Sequence, residues 1–564
     1  MKDKYNSVIY QIWPRSFYDS NNDGIGDIQG IIQKLDYIAE LKVTHVWISP
    51  LYASPNKDFG YDVSDYYAIH PQFGTMDDMI ELIHKANQKG VSIIMDLVAN
   101  HTSTDHPWFK QAIEDKNSKY RDYYIFKEGR NNKEPNNWIS IFGGSAWTHI
   151  EENTYALTLF TPNQADLNWD NKEVRDEVVN IMEYWINLGI AGFRLDVINT
   201  ISKKEGYPDK NPKKKGYQFA DDYIINRPKS IEFAKYMMEE LQNKTQKDII
   251  TIGEGMLMSQ EAAAKYSDIN HPILDMMIHF DIHMLGCGPL GKFDFRKLYY
   301  WNINQFKDVI NSWQVDMQQN KYWMANYLSN HDQPRHVSRF GNDKKHRQVS
   351  AKALAVLNMT LKGTPIIYQG EEIGMTNASF DKEEWRDYES INAYKVLQEM
   401  MHLPTFLAKK VVSKMTRDHA RTPMQWSSKE NAGFSMVKPW IKVNDNYKNI
   451  NVEDQQQENT SVLTFYKSLI QFVRETNINA FSDFESTHMK HKQIFSYYRH
   501  DSQKNKTYYV VINLSDKIAT FKQNMISTSD RIVVHNYPNK PHISQKMVLR
   551  AYESIVVEVL DYES

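Results

Sequence analysis

Cysteine is almost absent: Cys287 is the one thiol in 564 residues. No intramolecular disulfide can form, which excludes a disulfide-stapled secreted scaffold and allows a reducing compartment. An excess of either charge is lacking too. The 67 basic and 70 acidic residues leave a net charge of −3, so there is no electrostatic reason to bind nucleic acid or a membrane surface. No apolar run reaches the roughly 18 residues of a bilayer span. The start, Met1-Lys2-Asp3-Lys4-Tyr5-Asn6, leads straight into Val8-Ile9-Tyr10 with neither an apolar signal core nor a cleavage site; the expected location is cytoplasmic. HExxH, paired CxxC and Walker-type runs are also missing, and with them the metal and nucleotide chemistry those motifs carry.

Aromatic residues are plentiful: 13 Trp, 34 Tyr and 24 Phe make up 13% of the chain. Flat rings stack on the apolar faces of sugars, and they equally fill large cores, so the enrichment admits both. At 41% hydrophobic and 24% charged, the composition is that of a globular protein. Short apolar runs alternate with helix-like stretches through most of the chain. Candidate strands are Val8–Trp13, His45–Ser49, Ser92–Leu97, Gly192–Asp196, Ile249–Glu254, Ile278–Phe280, Trp323–Leu328 and Ile366–Tyr368. Asp78–Lys89 and Lys172–Leu188, among the segments between them, carry apolar residues at the 3.6-residue helical period. Eight strands alternating with helices predict an α/β fold, a (β/α)8 TIM barrel.

The interval between the third and fourth strands is too long for one helix. Residues 101–169, rich in Asn, Gly, Trp and Tyr, read as a small inserted domain B between barrel parts 1–100 and 170–478. After that, Gln493–Tyr498, Thr507–Ile512, Arg531–Val534 and Ser554–Val559 are strand-like with turns between them. They predict a C-terminal antiparallel β-sandwich domain over 479–564.

Parallel barrels place their chemistry at the C-terminal ends of the strands. Read there, the fourth strand ends Gly192-Phe193-Arg194-Leu195-Asp196, the fifth Thr251-Ile252-Gly253-Glu254, and the seventh runs into Ser329-Asn330-His331-Asp332, while the third leads to Asn100-His101. One such carboxylate is commonly a helix cap. Three on one rim, beside two histidines and an arginine, form an acid-catalysis constellation and no serine or thiol nucleophile site.

Those segments, together with Asp96-Leu97-Val98-Ala99-Asn100-His101, resemble the four signature regions of the alpha-amylase family of glycoside hydrolases, in the same order and with similar spacing. Gln164-Ala165-Asp166-Leu167-Asn168 resembles a fifth block, that of the oligo-1,6-glucosidase branch, with Ala165 replacing its usual proline. Gly370-Glu371-Glu372-Ile373-Gly374-Met375-Thr376-Asn377 and Ala420-Arg421-Thr422-Pro423-Met424-Gln425-Trp426 extend the likeness over essentially the whole chain.

The resemblance implies that Asp196 is the nucleophile, Glu254 the general acid/base and Asp332 the transition-state stabiliser. Arg194, on the same strand face as Asp196, would keep the nucleophile ionised. Asp58, Tyr61, His101, Phe142, Phe160, Gln164, Arg194, His331 and Arg421 would bind the terminal glucose, with Asp96 and Asn100 as supports. The implied partner is a small oligosaccharide, with no nucleic acid and no membrane. The implied activity is that of a retaining exo-acting alpha-glucosidase on the alpha-1,6 bonds of isomaltose-like sugars. Alternatives are a trehalose-6-phosphate hydrolase, a general alpha-glucosidase, a sucrose isomerase and, outside catalysis, a dead accessory or sugar-binding subunit. In this family the residue after the nucleophile tracks linkage, Val with alpha-1,6 and Ala with many alpha-1,4 enzymes; here it is Val197. Gly255-Met256-Leu257 departs from close relatives where the second sugar would sit.

Two further segments carry expectations. Oxygen donors at Asp19, Asn21, Asp23, the Ile25 carbonyl and Asp27, with Gly24 between, match the first part of a calcium loop, although Gly30 stands where the usual bidentate Glu would be. The same residue types also build plain turns; the resemblance places a metal here, expected to be structural Ca2+. Lys203-Lys204 and Lys213-Lys214-Lys215 follow the fourth strand, as a solvated loop or as the selector of a phosphorylated sugar.

Overall fold

In the computed structural model, which describes residues 2–131, 133–288, 291–296, 301–480, 483–501, 505–524 and 526–560, eight strands pair in parallel around one axis. They are β1 (Ile9–Ile12), β2 (His45–Ile48), β3 (Ser92–Val98), β4 (Gly192–Asp196), β5 (Ile250–Gly255), β6 (Met276–His279), β7 (Ala325–Asn326) and β8 (Thr364–Tyr368). The sheet runs from β6 through β5, β4, β3, β2, β1 and β8 to β7. A parallel bridge between Met277 and Met324 joins its ends, so the sheet closes into the predicted barrel. The strands are near-continuous apolar runs because both faces are covered: in β3, Ile93, Ile94, Met95, Leu97 and Val98 are all buried. Gly192 opens β4 because the neighbouring backbone leaves no room for a side chain; a Cβ there would lie 1.8 Å from the Ile250 carbonyl oxygen.

The helices obey their local signals. Met76–Gln88 starts at a capping box between Thr75 and Asp78 and buries Met79, Leu82, Ile83 and Ala86, one face of the 3.6-residue period. Lys172–Leu188 is capped by Asn171 and stops at Gly189, whose φ of 107° only glycine adopts without strain.

Between β3 and β4 the chain forms a three-stranded antiparallel sheet from Phe126–Glu128, Thr154–Leu157 and Trp147–Glu151. It returns through Gln164–Asp166, which pairs antiparallel with His101–Ser103. The segment after β4 folds over this insertion: the Trp138 indole donates to the Pro208 carbonyl at 2.8 Å. Lys203 is drawn inward, its ammonium 2.7 Å from Asp166 and 2.8 Å from the Asn100 side-chain oxygen. This buried cation ties insertion, β3 and the chain beyond β4 together.

Toward the C-terminus, Asp483–Thr487, Ile494–Asp501, Lys506–Asn513, Ser554–Val559 and Arg531–His535 form one antiparallel sheet, in that order. Ala519–Lys522 and Lys546–Leu549 form a second, and a shared core of Tyr498, Val511, Phe521, Met547, Leu549 and Val557 lies between the two. The last four residues of the expected domain, 561–564, lie outside the described residues. Among the described residues no helix is long and apolar enough to cross a membrane.

Candidate active site

Backbone register alone brings the principal carboxylates to one rim. Arg194 of β4 lies beside Asp96 of β3 and Ile252 of β5, which sets Asp196 and Glu254 one step above them. The Arg194 side chain is wholly buried and its guanidinium is shared: Nη1 holds Asp96 at 2.6 Å and Asp196 at 2.7 Å, while Nη2 pairs with Glu254. Glu254 also accepts the Val197 N–H at 3.2 Å. Asp96 is pinned in turn by the Trp47 indole (3.0 Å) and the Tyr61 hydroxyl (3.1 Å).

Asp196 and Glu254 are close enough to interact directly. Burial pushes the Asp196 pKa well above the ordinary carboxylate range; Arg194 opposes this, and the Glu254 and Asp96 charges add to it. Pairing with Arg194 does not outweigh burial, contrary to the expectation that it would keep this carboxyl ionised.

Asp332 sits in the opposite electrostatic setting. Burial would raise its pKa, but His331 at 3.1 Å, Arg417 at 3.2 Å and Arg421 at 3.0 Å bring it well below the usual carboxylate range. His331 is fully buried and stacks with Trp13 and Tyr61 at centroid distances of 5.2 and 5.3 Å. Its Nε2 is 2.7 Å from the Tyr61 hydroxyl, and its Nδ1 is 2.8 Å from the Gln11 amide. Arg421 donates through Nε to the His331 carbonyl at 3.1 Å and lies over Trp13 and Phe59.

A second cluster forms where the returning strand Gln164–Asp166 meets His101–Ser103. The Gln164 amide nitrogen is 3.1 Å from Asp58 and 3.1 Å from His101 Nε2. Burial lowers the His101 pKa to about 4 and raises that of Asp58 to about 6, the latter against the pull of Arg417 and Arg421. Phe160 packs on His101 at 5.1 Å and on Phe142 at 5.9 Å. Phe142 in turn is held by Asn392, whose amide donates to its carbonyl at 2.5 Å. The nine expected binding residues and the three carboxylates thus form one connected set.

Sequence reasoning missed Arg417. Its guanidinium contacts Asp332, Asp58 at 3.5 Å and Asp387 at 2.7 Å, and lies 5.1 Å over the Phe142 ring. The available signal was its spacing: Arg417 precedes Arg421 by four residues, one helical turn.

The loop Asp19–Asp27 is set apart from this constellation. Asp19 accepts the Asn22 and Gly24 N–H groups, Asn21 accepts that of Asp23, and Asp23 that of Ile25. Asp27 holds Ser20 and caps the helix Ile28–Gln33 at Gly30. Among the described residues no three His, Cys, Asp or Glu side chains gather around a common metal position. The donors are hard oxygens of the kind calcium takes, and each engaged oxygen keeps acceptor capacity beyond its loop amide. The lysines after β4 divide: Lys203 is buried on Asp166 and Lys204 lies 3.9 Å over the Tyr223 ring, while Lys213, Lys214 and Lys215 are exposed.

The same architecture occurs in known proteins. An oligo-1,6-glucosidase of Parageobacillus thermoglucosidasius is 43% identical over 560 residues, which covers 98% of each chain. The solved structure of a trehalose-6-phosphate hydrolase of Bacillus licheniformis superposes with a TM-score of 0.92 at 38% identity, covering 98% of this chain and 99% of that one. That of an isomaltulose synthase of Klebsiella does so at 0.92 and 35%, covering 98% of both. The model of the alpha-amylase catalytic domain matches residues 11–482. With that match spanning the barrel and its insertion, the chain belongs to the alpha-amylase family and is a glycoside hydrolase.

Proposed function

We propose that this enzyme is a retaining, exo-acting alpha-glucosidase that removes terminal glucose from alpha-1,6-linked oligosaccharides such as isomaltose. The observation that carries the reading is that one buried guanidinium, Arg194, holds both Asp196 and Glu254. Carboxyls gathered on one guanidinium suit the retaining arrangement, in which a separation of roughly 5–5.5 Å leaves no room for a nucleophilic water between them. Asp196 attacks the anomeric carbon while Glu254 gives a proton to the departing oxygen. Glu254 then takes a proton from the water that releases glucose from Asp196. Asp332, kept anionic by His331, Arg417 and Arg421, faces the positive charge that develops on the sugar ring. Asp58, His101, Gln164 and Arg417 are buried or nearly so and hydrogen-bond or ion-pair among themselves. A wall of this kind closes the pocket behind one glucose and favours chain ends over internal bonds.

Linkage preference rests on Val197 and on the oligo-1,6-glucosidases among the relatives. Val197 adopts φ 35°, a strained value for a branched residue, as the chain turns away from β4. Its side chain joins an apolar cluster with Phe160 and Met256, one residue beyond the proposed nucleophile. An alpha-1,6 link has one more rotatable bond than an alpha-1,4 link and swings past this crowding. Isomaltose is expected to be hydrolysed faster than maltose, and Val197→Ala to raise maltose hydrolysis by about tenfold, within the ~10–200-fold that a methyl-scale change supplies. Rates on isomaltose, longer isomalto-oligosaccharides, maltose, sucrose and trehalose 6-phosphate test the reading; a wild-type preference for maltose would overturn the alpha-1,6 assignment and leave the hydrolase standing. For trehalose 6-phosphate, Lys203 is engaged by Asp166 and Asn100, which leaves Lys204 and the exposed Lys213, Lys214 and Lys215 as the cations that could meet its phosphate; the rate on this substrate decides between the two readings.

Calcium is the proposed occupant of the loop Asp19–Asp27, held by Asp19, Asn21, Asp23, the Ile25 carbonyl and Asp27. The support is the alternation of oxygen donors around Gly24. A metal that binds the folded state adds stability by mass action. Chelation is therefore expected to lower the Tm while leaving the rate per folded molecule unchanged. An unaltered Tm after exhaustive chelation would make the loop an ordinary turn.

A further inference from the structure

The strands that supply the catalytic carboxylates are not equally scaffolded. β4 is paired on one side up to Asp196 itself, opposite Val98, and on the other up to Leu195, opposite Gly253. β7 pairs with β8 only at Ala325 and Asn326, opposite Thr364 and Pro365, and touches β6 through the single bridge at Met324. Asp332 therefore lies six positions beyond the last laddered residue of its strand, and its placement falls to side chains.

At the tip those side chains are Arg417, Arg421 and Gln11, already described. At the base of the turn the tie is Ser329, whose hydroxyl donates to Glu371 Oε1 at 2.5 Å. Ser329 is fully buried and Glu371 nearly so. The bond spans the gap between the unladdered end of β7 and the chain just past β8. Glu371 is itself on fixed backbone: it opens a short 3-10 helix, residues 371–373, after Gly370, whose φ is 88°. A Cβ on Gly370 would strike Met375 and Arg335. Arg335 holds the Gln369 and Ala420 carbonyls beside it. Above Ser329, the Asn330 side chain accepts the Asp332 N–H at 2.9 Å, which closes the turn between the Ser329 tie and Asp332.

We propose that Glu371 is a positioning residue: through Ser329 it fixes the turn that presents His331 and Asp332 to the sugar. The inference rests on the reading of Asp332 as transition-state stabiliser and extends it. The groups that face Glu371 are Ser329, Glu372 beside it, Arg335, the Tyr368 backbone, Tyr466 and His336, whose Nδ1 is 3.7 Å away and makes no hydrogen bond. Glu372 takes the hydroxyls of Tyr10 and Tyr37 and the Gly370 N–H. Burial, against the Ser329 bond, raises the Glu371 pKa to about 8; near neutral pH the carboxyl is uncharged and adds no repulsion to Glu372.

Two substitutions remove the tie from opposite ends, and a third keeps it. Ser329→Ala deletes the donor, Glu371→Met the acceptor, and Glu371→Gln retains a neutral acceptor oxygen. Sub-ångström misplacement of a catalytic group costs up to about 10²-fold. Ser329→Ala and Glu371→Met are expected to lower kcat about tenfold or more with KM within about twofold. The double variant should be no worse than either alone, and Glu371→Gln should stay within about threefold of wild type. Wild-type kcat in Ser329→Ala, with an unchanged Tm, overturns the inference, as does a Glu371→Gln variant as slow as Glu371→Met. If Glu371→Met does not fold, Ser329→Ala decides alone. Asp332→Asn, measured alongside, separates the two levels: near-wild-type turnover there would refute the role of Asp332 itself, whereas an inactive Asp332→Asn beside an unaffected Ser329→Ala refutes only the positioning role.

Discussion

Glu254→Gln is expected to lower turnover of isomaltose by about 10²–10⁴-fold, the usual worth of a positioned proton donor, and to leave the barrel folded. The amide is nearly isosteric and retains one oxygen for either Arg194 or the Val197 N–H, the two donors that Glu254 now engages. It lacks the proton. The loss should depend on the leaving group. An activated aryl alpha-glucoside needs no protonation to depart, so Glu254→Gln should glucosylate Asp196 on that substrate and then stall, since no base activates water for the second step. A burst of aryl alcohol followed by slow turnover is the expected trace. Asp196→Ala removes the atom that forms the covalent bond and should show neither burst nor turnover on any substrate. For the wild-type enzyme the first-released glucose should be the alpha anomer. Isomaltose hydrolysis at wild-type rate by Glu254→Gln would remove it from the role of acid, and initial beta-glucose would remove the retaining mechanism.

Those residues were legible in the sequence because their placement is a backbone matter. A short apolar run that ends in Asp or Glu is read directly as a barrel strand with a carboxylate at its C-terminal end, and Gly192–Asp196 has the bounds the pattern predicts. β7 shows where that reading thins. Trp323–Leu328 looks like a strand, yet only Ala325 and Asn326 stay in the ladder, because the chain beyond is held by side chains such as Ser329 that no periodicity reports. Lys203 is another case. In a sequence rich in surface lysines it reads as part of a solvated cluster, and burial against Asp166 and Asn100 depends on how the insertion folds back. Arg417 was passed over for a related reason, despite its one-turn spacing from Arg421. Its acidic partners, Asp58, Asp332, Asp387 and Glu389, come from distant parts of the chain, so nothing near Arg417 announces them.

Arg417 accordingly supports the second large prediction. Its side chain is 6% exposed, and it balances several buried carboxylates at once. Arg417→Met would keep the bulk against Phe142 and remove the charge. Breaking a buried pair by taking away one partner typically costs about 3–5 kcal/mol, because the stranded charge stays desolvated; here Asp387, Asp332 and Asp58 all lose a counter-charge. Arg421 still reaches Asp332, so part of that site survives. The pH dependence follows from the direction of the shifts. Despite burial, Asp332 and Asp387 have pKa values held well below the ordinary carboxylate range, Asp332 by His331, Arg417 and Arg421 and Asp387 chiefly by Arg417. A carboxyl depressed on folding stabilises the native state above its unfolded pKa, and that stability drains away as the pH falls through the folded value. Without Arg417 both folded values move up, so acid unfolding of Arg417→Met should begin at a higher pH than that of wild type, and the variant should be less stable at neutral pH. Activity should fall as well, by about 10²-fold or more in kcat/KM, since Asp332 is less fully ionised and Asp58 is left without its nearest cation. Thermal melts from about pH 2 to 8, a range that reaches below the unfolded carboxylate pKa of roughly 3.9, paired with kcat/KM on isomaltose, measure both effects. An acid transition and a kcat/KM that match wild type would show that Arg421 and His331 suffice for Asp332, and that Arg417 is only a rim contact.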